Sequence, residues 1–298
     1  MTRDQVLALP PRVLTQAQRE TYFEQGFLGV EGLLDNATIA TLKAVTDAFV
    51  EQSRKVVESG STFDVAPGHS SDRPRVRRLK RPDDQHEVYW NYATGLIADL
   101  AADLVGPDVV YHHSKLNFKW NDGDDAVAWH QDIPFYPHTN YSPLTVGTYL
   151  TDVGMDDGPA GFLPGSQDGP IYDHYDANGN WSGSISPAEA ARFDSERAEY
   201  LTGPAGTITV HNCRTVHASL PTRSQSTRPL LLHVYASADA FAYTAHPDPS
   251  SHANTVVRGA PARVAHHDPR PCPIPPDWSG GYTSIFAAQT GEGATPGA

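Results

Sequence analysis

The chain has 298 residues with a net charge of −13, 39% hydrophobic and 19% charged residues, and two cysteines, Cys213 and Cys272. This composition suits a globular protein with a large buried core. It argues against a nucleic-acid partner, which would need a basic footprint, and excludes both a disulfide framework and a cysteine-rich zinc site.

No run of about 18 apolar residues suggests a membrane span. The first residues have no charged segment followed by an apolar one, as a signal peptide would. The expectation is a cytoplasmic protein of unknown oligomeric state, folded as one domain over 1–298. Within it, 1–107 would be mostly helical and 108–240 would form a β core with an insertion at 167–203. Residues 241–298 would be an irregular tail wrapping the domain.

Thr15 and Gln18 fit a capping box opening a helix over Thr15–Gln25, which Gly26 closes. FLGVEGLL then reads as a short strand. Asp35 caps a second helix, from Asn36 to about Ser53, with Ile39, Leu42, Val45 and Phe49 on one face. Residues 54–85 read as a loop, and its cluster Arg73, Arg75, Arg77, Arg78, Lys80 and Arg81 as a solvated patch, with reception of an anion as the less expected role. A third helix is expected over 87–105, ending at Gly106-Pro107.

Beyond residue 107 the texture changes to short, β-branched, turn-punctuated runs at 108–120, 126–136, 144–153, 158–166, 207–212 and 229–238. That pattern predicts a sandwich or barrel. The insertion carries DANGNWSG and a short helix at Pro187–Tyr200, and is a candidate lid. The last ten residues are expected to be disordered.

Two histidines and a carboxylate on one face of a metal, with the other face open, make up the iron site of non-haem oxygenases. His-x-Asp is not rare in this chain. It occurs at His130-Gln131-Asp132, His174-Tyr175-Asp176 and His246-Pro247-Asp248. Only the first follows a strand-like run, where alternation points residues i and i+2 to the same side. His217 follows 87 residues later, and Arg228 a further 11 residues on, opening the strand RPLLLHVYASA. An arginine fork suits the distal carboxylate of a dicarboxylate co-substrate. His211 reads as an ordinary strand histidine, and His112, His113, His174, His266 and His267 as surface or structural.

At these residues the sequence resembles the phytanoyl-CoA dioxygenase family, a branch of the Fe(II)/2-oxoglutarate oxygenases. The resemblance rests on WHQDIPFYP (129–137), DDGPAGFLPGSQDG (156–169) and the block from Gly206 to Asp239, with a family-like opening at 14–42. It implies a mainly β fold with flanking helices, built on a double-stranded β-helix (jelly-roll, cupin-like) core. It also implies iron held by His130, Asp132 and His217, and 2-oxoglutarate held by Arg228 and Ser219. A second co-substrate contact is expected from Lys80, Arg78, Lys115, Asn117 or Lys119, with Asn117 preferred because it shares a strand face with Lys115 and Lys119. Phe135, Tyr136, Tyr141 and Trp181 are expected to line the substrate site. Two departures are Thr207, where an acidic residue is usual, and Gln167, where a histidine is usual.

The implied activity is hydroxylation, or a related oxidation, at an unactivated C–H bond of a small organic molecule, with O₂ and 2-oxoglutarate giving succinate and CO₂. The family's substrates include acyl-CoA, amino acids, phosphonates and secondary metabolites. The acidic charge leans away from a CoA ester, the surroundings of His130 lean away from ectoine, and the aromatic set leans toward a partly apolar molecule. The alternatives are a jelly-roll isomerase or lyase and a silent binding barrel, against which Arg228 counts. A metallohydrolase would want another ligand or general base, and no HExxH helix is present.

Overall fold

The computed structural model describes residues 1–120, 126–278 and 284–290. The expected disorder of the last ten residues therefore falls almost wholly outside the described residues.

The amino-terminal part holds α1 (Arg3–Leu7), α2 (Gln16–Gln25), β1 (Phe27–Val30) and α3 (Asn36–Ser53). Both expected caps form. Thr15 Oγ1 accepts from Gln18 N while Gln18 Oε1 accepts from Thr15 N, and the Asp35 carboxylate accepts from Thr38 N at 2.7 Å. Gly26 ends α2 in the left-handed region at φ 85°, where a Cβ would lie 2.3 Å from Gln167 Oε1. Gln167 in turn donates to the carbonyls of Phe23 and Glu24 in the last turn of α2. The departure from histidine thus serves as a helix cap.

The expected 54–85 loop instead contains β2 (Phe63–Val65), β3 (Val76–Lys80) and the short helix α4 (Pro82–Gln85). Part of the supposed solvated patch is therefore interior: Arg78 is buried, and strand pairing sets it opposite Asn117. The single helix expected over 87–105 is two, α5 (Glu87–Thr94) and α6 (Leu96–Val105), broken at Gly95 with ψ −134°. Arg258 fills the break. It donates to the carbonyls of Thr94 and Gly95 at 3.0 and 2.7 Å and is clamped by Asp99.

The β core is two antiparallel sheets. After β4 (Val109–Lys119) come β5 (Val127–His130), β6 (Leu144–Tyr149), β7 (Ala160–Phe162), α7 (Pro187–Ala190), β8 (Glu199–Leu201), β9 (Ile208–Asn212), β10 (His217–Ser219), β11 (Arg228–Ser237), β12 (Val256–Arg258) and α8 (Ile285–Thr290). The large sheet runs β1-β9-β6-β11-β4-β3-β2, with β12 also on β4; the small one runs β5-β10-β7-β8. Several expected strands are shorter than their sequence runs. The 126–136 segment leaves extended form after His130, and 187–200 is helical only over Pro187–Ala190 before a 3₁₀ turn and β8. The tail is not wholly irregular, since it supplies β12 and α8. The main apolar core packs α3, α5 and α6 against the outer face of the large sheet, through Leu42, Phe49, Tyr89, Ile97 and Leu100 with Leu116, Val146, Val210 and Leu231. That leaves the inner face free for the site.

Candidate active site between the sheets

His130 ends β5 and His217 begins β10, and the antiparallel register of these strands pairs the two residues directly. An 87-residue separation in sequence is thereby closed by backbone pairing, with ring centroids 4.0 Å apart. Asp132 lies two residues on, in the turn after β5, and its Oδ1 is 3.9 Å from His217 Nε2. One ligand atom from each of the three lies within 4.8 Å of the others. Donors about 2 Å from a shared ion sit roughly 3–4 Å apart, so the set fits one metal.

The tautomers fit as well. His130 Nδ1 donates to the Ala128 carbonyl and His217 Nδ1 to the Thr215 carbonyl, both at 2.9 Å. Each ring therefore keeps the Nε2 lone pair for a cation. Burial draws the pKa of His130 down to about 4 and that of His217 well below its usual value, so both rings are neutral. Burial pushes the Asp132 pKa up, but the His211 hydrogen bond and the nearby Lys115, His217 and His211 outweigh it, and the carboxyl stays ionised. His211 Nε2 donates to Asp132 Oδ2 at 3.1 Å and Thr145 Oγ1 donates to the same oxygen at 2.8 Å. His211, read as an ordinary strand histidine, is thus the support of the carboxylate. Its place on β9, two strands from β11, was the signal that strand pairing alone could reveal.

The same cavity is lined by Lys115, Asn117, Ser219 and Arg228, walled by Phe162, Leu230 and Leu232, and covered by Ile285 and Phe286 of α8. Arg228 is 3% exposed on β11 of the opposite sheet. Asn117 Oδ1 is buried and has no hydrogen-bond partner among the described residues. Lys119, on the same strand face, turns its ammonium to the Leu220 carbonyl and does not line the cavity.

Asp132, Lys115, Asn117 and Ile285 also line a second, adjoining cavity with Phe135, Tyr136, Arg78, Lys80, His113 and His246. Burial lowers the Lys115 pKa from its usual value while the Asp132 carboxylate raises it. Two of the four aromatic residues expected here, Phe135 and Tyr136, therefore face the site. Trp181 packs edge-on against Phe135 at 5.1 Å and stacks on His174, one layer back. Tyr141 is not brought to the site. It lies between the guanidinium groups of Arg214 and Arg270 and donates to the Pro271 carbonyl, beside a separate cavity. Sequence reading missed His113 and His246 as lining residues, because nothing local marks a buried histidine off from a surface one.

The fold and the donor set define a non-haem iron oxygenase of the 2-oxoglutarate-dependent class. A model of the phytanoyl-CoA dioxygenase (PhyH) family matches residues 22–230, and the chain belongs to that family. It is 31% identical over 244 residues to a probable alpha-ketoglutarate-dependent hypophosphite dioxygenase of Stutzerimonas stutzeri, covering 77% of this chain and 80% of the relative. It is 29% identical to an L-proline trans-4-hydroxylase of Streptomyces griseoviridis, covering 72% and 83% of the two chains. The crystal structure of EctD from S. alaskensis with 2-oxoglutarate and 5-hydroxyectoine shares the fold at a TM-score of 0.67 and 18% identity, covering 87% and 91%. No helix among the described residues is long and apolar enough to cross a membrane.

Proposed function

We propose that His130, Asp132 and His217 hold Fe(II), that Arg228, Ser219 and Asn117 bind 2-oxoglutarate, and that the enzyme oxidises a small molecule seated against Phe135 and Tyr136. The observation that carries this reading is the shared cavity. Two neutral histidines with an ionised carboxylate, and a buried arginine, line one cavity from opposite sides. When bound, iron and 2-oxoglutarate supply the activation of O₂, with one oxygen atom going to succinate and one to the product, and CO₂ released.

The protein's own residues do the positioning. Arg228, a planar fork lining the same cavity, would match the far carboxylate of a dicarboxylate. Asn117 offers a further polar contact along the co-substrate. The walls Phe162, Leu230, Leu232 and Phe286 exclude water, which strengthens each charge contact within. A silent barrel, or an isomerase that takes no 2-oxoglutarate, would have no use for Arg228 in this place. Two free cysteines, one of them buried, suit a reducing cytoplasm.

The test is anaerobic addition of Fe(II) and then 2-oxoglutarate to apoprotein, followed by visible absorption for the charge-transfer band of a chelated complex. The band should form in the wild type, vanish in His130→Ala, and need at least tenfold more 2-oxoglutarate in Arg228→Ala. A wild type that binds iron but forms no band would refute the 2-oxoglutarate assignment.

A further inference from the structure

The second cavity carries a charge pattern unlike the rest of this acidic chain. Arg78, Lys80 and Lys115 open onto it. Asp64 is the carboxylate that balances the first two: it holds Arg78 Nε and Nη2 at 2.9 and 2.8 Å and Lys80 at 3.0 Å. Asp248, on the cavity rim, is paired with Arg81 at 3.2 Å. Asp132 is committed to the metal triad. The Lys115 side chain makes no hydrogen bond or ion pair with any described residue, although it is half-buried beside Asp132. A cavity with more cations than carboxylates and a free ammonium at its inner end favours an anion.

Two imidazoles, His113 and His246, also line this cavity. The pairing of β4 with β11 slips between Val234 and Tyr235, where His113 and Tyr111 are matched and His112 is the extra residue. Such a bulge re-aims side chains, and here His112 and His113 contact each other, with Nδ1 atoms 2.6 Å apart. His246 packs tilted against His113 with centroids 4.2 Å apart, and its Nδ1 accepts from Asp248 N at 3.1 Å. A neutral ring that accepts at Nδ1 carries its proton on Nε2, and this Nε2 has no partner among the described residues. It is a donor available to a ligand. The space open to the centres of water-sized occupants is only about 40 Å³, and Phe135, Tyr136 and Ile285 close its sides. That is room for a group of a few heavy atoms, not for an extended chain.

We propose that the substrate is a compact oxyanion, bearing a carboxylate or a phosphorus oxyacid group, whose charged oxygens are held by Lys115 and the His246 Nε2–H with Arg78 behind them. This rests on the iron and 2-oxoglutarate reading above and adds the substrate class. The aromatic walls then set size, and the cations set charge.

The experiment uses full-length protein loaded anaerobically with Fe(II) and 2-oxoglutarate. Hypophosphite, propionate and the neutral isostere propionamide are titrated while the charge-transfer band is followed, and succinate release in air is measured in parallel. The expected result is a saturable band shift with at least one anion and none with propionamide. Lys115→Met should raise the anion's half-saturation tenfold or more and leave that of 2-oxoglutarate within threefold, and Lys115→Arg should restore part of the loss. Phosphorus and carboxylate arms separate the two oxyanion types. The proposal is overturned if propionamide binds as well as the anions, if no anion perturbs an established band, or if the Lys115→Met loss falls on 2-oxoglutarate instead. Absence of any band in the wild type overturns the underlying reading, and this one with it.

Discussion

His211 on β9 donates its Nε2 proton to Asp132 Oδ2 at 3.1 Å, and so holds the carboxylate of the proposed metal triad from the sheet opposite its histidines. Thr145 adds a 2.8 Å bond to the same oxygen, which leaves Oδ1 turned to His217 Nε2. Supports of this kind typically change metal affinity 10- to 100-fold when removed. His211→Ala is expected to weaken Fe(II) binding by about that factor, with far-ultraviolet circular dichroism unchanged. His211→Gln, which can still donate, should recover part of it. Unaltered iron affinity in His211→Ala would show that Thr145 alone suffices.

How far this site was readable follows from how its residues are connected. His130, Asp132, His217 and Arg228 stand out because strand alternation and sequence spacing bear on them directly. His211 does not, since its role depends on β9 lying near β11 through β6, which no local pattern encodes. A sandwich or barrel was likewise legible from short, punctuated strands, and the jelly-roll from the family resemblance. The strands β2 and β3 were not, because VRRLK carries charges on a buried strand, and Arg78 is held there by Asp64, 14 residues away. Tyr141 was misplaced for the same reason. An aromatic near a metal motif looks like a pocket wall, whereas Arg214 and Arg270 draw it to the surface side.

Asp103 ties the amino-terminal segment to α6. Its carboxylate accepts from the backbone N–H groups of Arg12, Val13 and Leu14 at 2.7–2.8 Å, and its own carbonyl accepts from Arg19 Nε at 3.0 Å. Hydrogen bonds to a charged acceptor contribute about 1.5–3 kcal/mol each. Asp103→Ala leaves three donors without their acceptor, so a loss of about 3–5 kcal/mol is expected in urea unfolding. A loss under 1 kcal/mol would mean that water replaces the carboxylate freely.

Helix α8 closes the site by bridging two segments that sequence reading did not connect. Gln289 Oε1 accepts from Ala128 N at 2.9 Å, its Nε2 donates to the Gly183 carbonyl at 3.0 Å, and Phe286 lines the metal cavity. Ending the chain at residue 283 should leave the sheets folded but open the cavity to water. The expected readout is an unchanged unfolding midpoint to within about 2 °C, together with more succinate formed per substrate oxidised. Phe286→Ala should move the same ratio in the same direction by a smaller amount. A truncated enzyme with unchanged coupling would assign α8 no part in shielding the site.

His233 lies at the centre of β11, fully buried, with neither ring nitrogen hydrogen-bonded among the described residues and with Tyr92 and Tyr111 around it. Burial lowers its pKa from 6.5 to about 3. In the unfolded chain the ring takes a proton below about pH 6.5, whereas in the folded protein it does not until about pH 3. The unfolded state therefore binds more protons in that window, and stability is lost as pH falls through it, at about 1.4 kcal/mol per pH unit for this one group. His138 and His174, each lowered to about 4, and His246, lowered to about 3, act in the same sense. Iron-free protein should thus weaken steeply between pH 6.5 and 4. His233→Leu removes one of these protons and a buried polar ring without partners. At pH 7.5 it should be neutral to about 1 kcal/mol stabilising. At pH 5.0 its advantage over the wild type should grow by about 2 kcal/mol, read from urea unfolding at the two pH values. An advantage that does not change between them would mean that His233 is protonated, or released to solvent, in the folded protein, and that the acid limb belongs to the other histidines.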